Sequence, residues 1–341
     1  MTSDLTDALA DFFNATWPTD TPVQEPAPLH QTPWSEFAAL GLHLVGVAED
    51  VGGSGGTIED LVALAVLAGR HAADVPVVES TTAAWALTRA GLPLDPSASH
   101  SCPVTRSALA VDDDGTVTGT VDDVPWGASV DRVVTIADDG RTVAFRPTDA
   151  VVRPGTDLAG QPRDTLSLDR VTPVAIGTGV SRDLLGRRAA TLRIALTAGA
   201  LQAASELTRR YVSERVQFGK PIGAFQAVQA HVVQIEQMAV MTTAIAERLA
   251  LQEDAPDIDV AAARLVTAEN ALVGARAAHQ AHGAIGMTRE YRLQGYTRRL
   301  HTWAGDLGEQ LELSRRLGVT AAHSPSFAHL IFDTDRPELR S

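Results

Sequence analysis

Two stretches of the chain carry residue types that could bind or transform a ligand. The first runs Arg210-Tyr-Val-Ser-Glu-Arg-Val-Gln-Phe-Gly-Lys-Pro-Ile-Gly-Ala-Phe-Gln226. A helical pattern ends here, the chain turns at Phe218-Gly219-Lys220-Pro221, and a second helical pattern begins. Arg215 falls in the last helical turn. A cation there complements the negative end of the helix dipole. The same guanidinium could instead fork onto a phosphate, and the residues alone leave both roles open. The second stretch is His279-Gln-Ala-His-Gly-Ala-Ile-Gly-Met-Thr288. Gly283 and Gly286 end a helix and let a backbone or a ligand come close. His279 and His282 have no third ligand in register and no cysteine nearby, so a metal site is not expected. A third candidate, Val51-Gly-Gly-Ser-Gly-Gly56, lacks the ending of a phosphate loop and the strand-turn-helix context of a dinucleotide fingerprint. It reads as a plain loop.

These segments need elements to hold them, and the chain is long enough for two or three domains at 341 residues. With 45% hydrophobic and 21% charged residues it can bury a large core. Acidic residues outnumber basic ones 42 to 28, giving a net charge of −14, which argues against a nucleic-acid backbone binder. A single cysteine, Cys102, excludes an internal disulfide framework. No long apolar run and no signal-like start are present, so a soluble cytoplasmic protein without a membrane segment is expected.

The hydrophobic period changes along the chain. Residues 1–101 look helical but broken: a short amphipathic stretch at 35–45 is interrupted by Gly41, and Thr57 caps a helix over 57–73. Residues 102–179 alternate in short strands at 107–111, 116–121, 132–137 and 142–145, with two more at 165–168 and 175–177. A small antiparallel barrel or sandwich is predicted there. Residues 180–322 return to long helical patterns, at 182–214, 221–252, 257–281 and 289–317, the last broken around Gly305 and Gly308, which predict a four-helix bundle. Pro221 is read as an early residue of the second helix. Gly199 lies on the apolar stripe of the first, where it would let a neighbouring helix approach closely. Residues 323–341 read as a tail. The fold class is therefore α+β multidomain: a helical N-terminal domain, a middle β-domain and a C-terminal bundle.

At the two opening segments the sequence resembles the acyl-CoA dehydrogenase family. The first resemblance lies in Tyr211, Glu214, Arg215, Phe218-Gly-Lys-Pro and Phe225-Gln226. The second lies in Gln280, His282-Gly283, Gly286 and Glu290-Tyr. Similar stretches occur at 41–53 and 124–131, so the likeness covers about residues 30–320. It implies FAD as cofactor, lodged between subunits, and an acyl-CoA substrate. It also implies a carboxylate base that removes the α-proton while the β-hydride goes to the flavin. By the same resemblance Arg215, Phe218 and Gln226, together with Gln280, Gly283 and Ala284, hold the adenosine diphosphate end of a FAD that belongs mainly to a neighbouring subunit.

The departures from the family carry as much meaning. The family's base position after the glycine-rich motif reads Asp306-Leu307-Gly308-Glu309, with leucine in place of the glutamate. The alternative base position falls at Ala189 or Ala190. Residues 102–111 lack the loop that carries a subunit's own flavin. The resemblance thus implies a base-lacking subunit that completes the FAD site of a second, dehydrogenase-like subunit, in an α2β2 heterotetramer acting on a bulky, steroid side-chain type of acyl-CoA. An electron-accepting flavoprotein is a possible further partner. Two alternatives stay open: a self-sufficient homo-oligomeric dehydrogenase using Asp306 or Glu309 as base, and a flavin-free scaffold.

Overall fold

The structure, a computed structural model, describes residues 3–23, 27–103, 108–308, 310–332 and 339. Four helices lead: α1 (Ser3–Thr16), α2 (Trp34–Ala39), α3 (Ile58–His71) and α4 (Val77–Arg89). Gly41 stops α2 in the left-handed conformation, at φ 69°. Helix α3 opens on a capping box: the Thr57 amide donates to Asp60 Oδ2 at 2.8 Å, and the Asp60 amide donates to Thr57 Oγ1 at 3.4 Å. The sequence marks that cap. It does not mark α4, whose residues Val77 to Leu87 are all buried. A helix covered on every side shows no apolar stripe.

Eight strands follow: β1 (His100–Ser101), β2 (Ala108–Val111), β3 (Val117–Pro125), β4 (Arg132–Ile136), β5 (Thr142–Phe145), β6 (Val151–Arg153), β7 (Arg163–Val171) and β8 (Ala175–Gly177). They form two four-stranded sheets in the orders β1-β4-β5-β8 and β2-β3-β7-β6. Leu109, Val121 and Leu166 of one sheet share a core with Val133, Val143 and Phe145 of the other, so the sheets pack face to face. The pairing is antiparallel except that β1 runs parallel to β4, which corrects the purely antiparallel expectation. Strands β1 and β6 are too short to show an alternation.

The long helix α5 (Arg182–Glu214) then runs into a tight hairpin of β9 (Val216–Gln217) and β10 (Lys220–Pro221), followed by α6 (Gln226–Ala250), α7 (Asp257–His282), α8 (Leu293–Asp306), α9 (Gln310–Ala322) and α10 (Phe327–Phe332). Pro221 therefore lies in a strand, and α6 begins at Gln226, later than the pattern predicts. Phe218 at φ 50° and Gly219 at φ 79° make the turn that pairs Pro221 with Val216. The helical stretch at 289–317 is two helices, and of the two expected breaks the one at Gly308, φ 95°, parts them, while Gly305 lies within α8. Helices α5 to α8 share one core with α3. Where α3 crosses α5, a Cβ on Gly199 would lie 1.9 Å from the Val66 carbonyl oxygen, and one on Gly69 would lie 1.9 Å from that of Leu196. The crossing requires glycine on both helices. Within the segment read as a tail, α10 is helical, and 333–338, 340 and 341 lie outside the described residues.

Candidate functional site

The two segments singled out in the sequence meet at one end of the bundle. Arg215 caps α5, and its carbonyl accepts the Ile222 amide at 2.8 Å, closing the hairpin. After one 3-10 turn over Ile222–Ala224, Gln226 starts α6. The end of α7 lies alongside, because Tyr211 of α5 stacks on His282 of α7 with ring centroids 4.6 Å apart and planes 18° apart. Gly283 then ends α7 at φ 64°.

The residues that the resemblance assigns to a ligand all face outward. Arg215, Gln226, Gln280, Gly283 and Ala284 are exposed, and Phe218 is 91% exposed. Arg215 makes no ion pair among the described residues, and Lys220 lies 4.5 Å from the centre of the Phe225 ring. A Cβ on Gly283 would meet nothing within 4 Å. An exposed phenyl ring, an unengaged guanidinium, two amide side chains and an uncrowded glycine suit a ligand with an aromatic base and a diphosphate. Such a surface brings no benefit to an isolated fold, since Phe218 would otherwise be better buried.

The two histidines are occupied otherwise. His279 Nε2 lies 2.8 Å from Thr297 Oγ1. His282 Nδ1 donates to the Ala278 carbonyl at 2.8 Å, and its Nε2 lies 3.1 Å from the Tyr291 hydroxyl. Burial lowers the pKa of both rings. No cluster of three metal-ligating side chains occurs among the described residues.

The places where a base is expected lie elsewhere, at the junction of α4, β7, α5 and α8. Leu307 follows the end of α8 and is fully buried in the bundle core. Ala189 and Ala190, buried on α5, precede Arg193 by a single turn. Arg193 pairs with Glu79 of α4 and reaches Asp306 with its Nε at 3.4 Å. Arg163 of β7 holds the same Asp306 carboxylate at 2.7 Å. Both base positions thus border a compact group of charges, Glu79, Arg193, Asp306 and Arg163, which Asp157 joins at 3.7 Å from Arg163 Nε. Glu79 and Arg193 are only 4% and 6% exposed by side chain, and Asp306 is 21% exposed. Burial opposes the charge of Arg163, but Asp306 and Glu79 outweigh it and raise its pKa. Nearby Asp157 is pushed up by burial. Glu309 lies outside the described residues. The sequence reading missed Glu79, Arg163 and Arg193. Their charges do not stand out from those of other residues in the same elements, and nothing in the order of residues brings the three segments together.

Residues 177–306 match the family described as acyl-CoA dehydrogenase, C-terminal domain. FadE34 of Mycobacterium tuberculosis, named an acyl-CoA dehydrogenase, is 32% identical over 84% of this chain, while the chain spans 43% of FadE34's own length. The fold is that of the ChsE4-ChsE5 complex from M. tuberculosis, with TM-score 0.79 and 23% identity, covering 96% of this chain and 99% of that one. A glutaryl-CoA dehydrogenase from Mycobacterium smegmatis in complex with FADH2 also matches at TM-score 0.79, with 17% identity and 95% of each chain covered. The chain thus has the acyl-CoA dehydrogenase fold of helical, β and bundle layers, and its residues 177–306 match that family's C-terminal domain. No helix among the described residues is long and apolar enough to cross a membrane.

Proposed function

We propose that this chain is the base-lacking subunit of a heteromeric, FAD-dependent acyl-CoA dehydrogenase, and that it completes a FAD site centred on its partner. The observation that carries the reading is the contrast between its two ends. The bundle end offers Arg215, Phe218, Gln226, Gln280, Gly283 and Ala284 to an outside ligand. At the other place, Leu307 is sealed in the core and Asp306 is held between Arg163 and Arg193.

The fit to FAD rests on that outward face. Arg215 would hold the diphosphate by charge-assisted hydrogen bonds, Phe218 would cover the adenine, and Gln226 and Gln280 would bond the sugar and phosphate edges. Gly283 and Ala284 would let the cofactor lie close to the backbone. When bound, FAD supplies a two-electron acceptor for the hydride of a dehydrogenation. Removing an α-proton from a thioester needs a free, oriented carboxylate. An Asp306 engaged by two guanidinium groups is poorly suited to that task. The base and the substrate pocket are therefore assigned to the partner, a second dehydrogenase-like subunit. The ChsE4-ChsE5 complex, one chain of which shares this fold, supports that arrangement. The substrate proposed is a bulky acyl-CoA of the steroid side-chain type that the resemblance implies, handled by a cytoplasmic α2β2 particle.

The test is the colour of the purified protein. Expressed alone, the chain should carry no flavin absorbance near 450 nm beyond roughly trace amounts, by the same need for a complete set of cofactor contacts. Co-expressed with a dehydrogenase-like chain that keeps its glutamate, it should co-purify as a yellow particle. Stoichiometric FAD on the chain alone favours the self-sufficient enzyme instead, and a colourless complex favours the scaffold.

A further inference from the structure

The ligand-facing hairpin and the turn after α7 come from distant parts of the sequence and carry no hydrogen bond to each other among the described residues. They are joined from beneath. Tyr211 is one turn before Arg215, whose amide donates to the Tyr211 carbonyl at 2.9 Å. The Tyr211 ring stacks on His282, the residue before Gly283. Tyr291 closes the group, edge-on to Tyr211 at 5.9 Å and tilted against His282 at 5.2 Å.

We infer that Tyr211, His282 and Tyr291 form a clamp that locks the two turns into one rigid cofactor-binding surface, and that they are positioning residues. The inference rests on the proposed function for the identity of the cofactor, and on the geometry alone for the clamp. A carbonyl oxygen can only accept, so His282 Nδ1 carries its proton to Ala278. Nε2 of the neutral ring is then an acceptor, and the Tyr291 hydroxyl donates to it. Burial keeps this arrangement in place from both sides: it lowers the His282 pKa and pushes the Tyr291 phenol up to about 12. The imidazole therefore has one tautomer, one ring orientation and a stacked neighbour on the other helix. Any rotation of the α5 end moves Arg215 and Phe218. Any shift of His282 moves Gly283 and Ala284. The clamp makes the two shifts one, so the ligand meets a preformed surface and loses less entropy on ordering it.

The test uses the co-expressed complex, with FAD affinity and backbone amide exchange as readouts. Tyr211→Phe keeps the ring and should bind FAD like the parent. Tyr211→Leu should weaken FAD roughly two- to ten-fold, the range of a lost aromatic pair. It should also raise amide exchange at 216–222 and 283–288 together, while the α3–α5 crossing stays protected. If Tyr211→Leu does not fold, Tyr291→Phe serves in its place. It removes one hydroxyl, leaves Nε2 of His282 without a donor, and should show the same coupled exchange. Arg215→Ala is the control for the cofactor reading: it should weaken FAD without altering exchange. If Arg215→Ala weakens FAD but loss of the clamp leaves FAD and exchange unchanged, or loosens one turn only, the clamp is refuted and the half-site reading stands. If Arg215→Ala leaves FAD untouched, the face does not bind the flavin, and coupled exchange alone then upholds or refutes the clamp.

Discussion

Asp306 stands one position from the place of a base, yet its Oδ2 is engaged by two guanidinium groups, Arg163 at 2.7 Å and Arg193 at 3.4 Å. Its loss should therefore be felt in stability rather than in chemistry. Asp306→Asn removes one partner from two largely buried arginines, a change that typically costs about 1–3 kcal/mol. The turnover of the assembled complex should stay within a few-fold of the parent, and the same holds for Glu309→Gln. Loss of a true general base removes roughly 10²–10⁴-fold of rate. A fall of that size with FAD still bound would show that the chain supplies its own base. The leucine at 307 was legible in the sequence because a family motif fixes its register. The arginines around Asp306 were not, since Glu79 and Arg193 stand 114 positions apart and meet only when α4 packs on α5. The outward set was legible for the opposite reason: its residues lie in two short continuous segments.

At the scale of elements, the sequence is informative where one side of a helix or strand is dry and the other wet. Thr57 and Asp60 announce α3, and β7 alternates buried Leu166 and Leu168 with exposed Ser167 and Asp169. Helix α4 has no wet side, and the β9–β10 hairpin is too short to carry a period, so α4 went unread and Pro221 was placed in the wrong element. Gly199 was read correctly as a point of close approach, and the structure supplies its neighbour, the Val66 backbone of α3. Gly199→Ala tests which effect wins there. Alanine favours a helix by about 1 kcal/mol over glycine. The added methyl would lie 1.9 Å from a carbonyl oxygen that cannot move without its whole helix. Overpacking costs about 1–3 kcal/mol when backbones must shift, so the net change should be destabilising. A thermal melt of the complex should show a lower midpoint, with FAD per folded particle unaltered. A higher midpoint would mean that α3 and α5 slide apart at little cost.

At the scale of the whole molecule, the surface left open at the bundle decides how many cofactors an assembly can hold. Beyond Phe218, the same end exposes Val216, Ile285 and Met287, and α6 exposes Val233, Val240 and Met241. On the proposed function these side chains belong to the interface with the partner, and obligate interfaces run to roughly 2,000 Å² or more. A flavin site of this kind needs two unlike contributions: an outward face that holds the diphosphate end, and a receiving pocket that holds the ring beside a free base. On the proposed function this chain offers the first. In the second place it has the buried group of Glu79, Arg163, Arg193 and Asp306, together with Leu307. Two copies of the chain would therefore pair two outward faces with no receiving pocket. A pair with an intact partner brings one outward face to one pocket and completes a single site. The reciprocal site, in which the partner would reach toward this chain, stays incomplete. An α2β2 particle should consequently bind two FAD rather than four. Native mass together with flavin absorbance per chain measures the ratio directly, and titrating flavin-stripped complex with FAD should saturate at that same value. Four FAD per particle would place a working pocket in this chain and overturn the assignment of its charged junction.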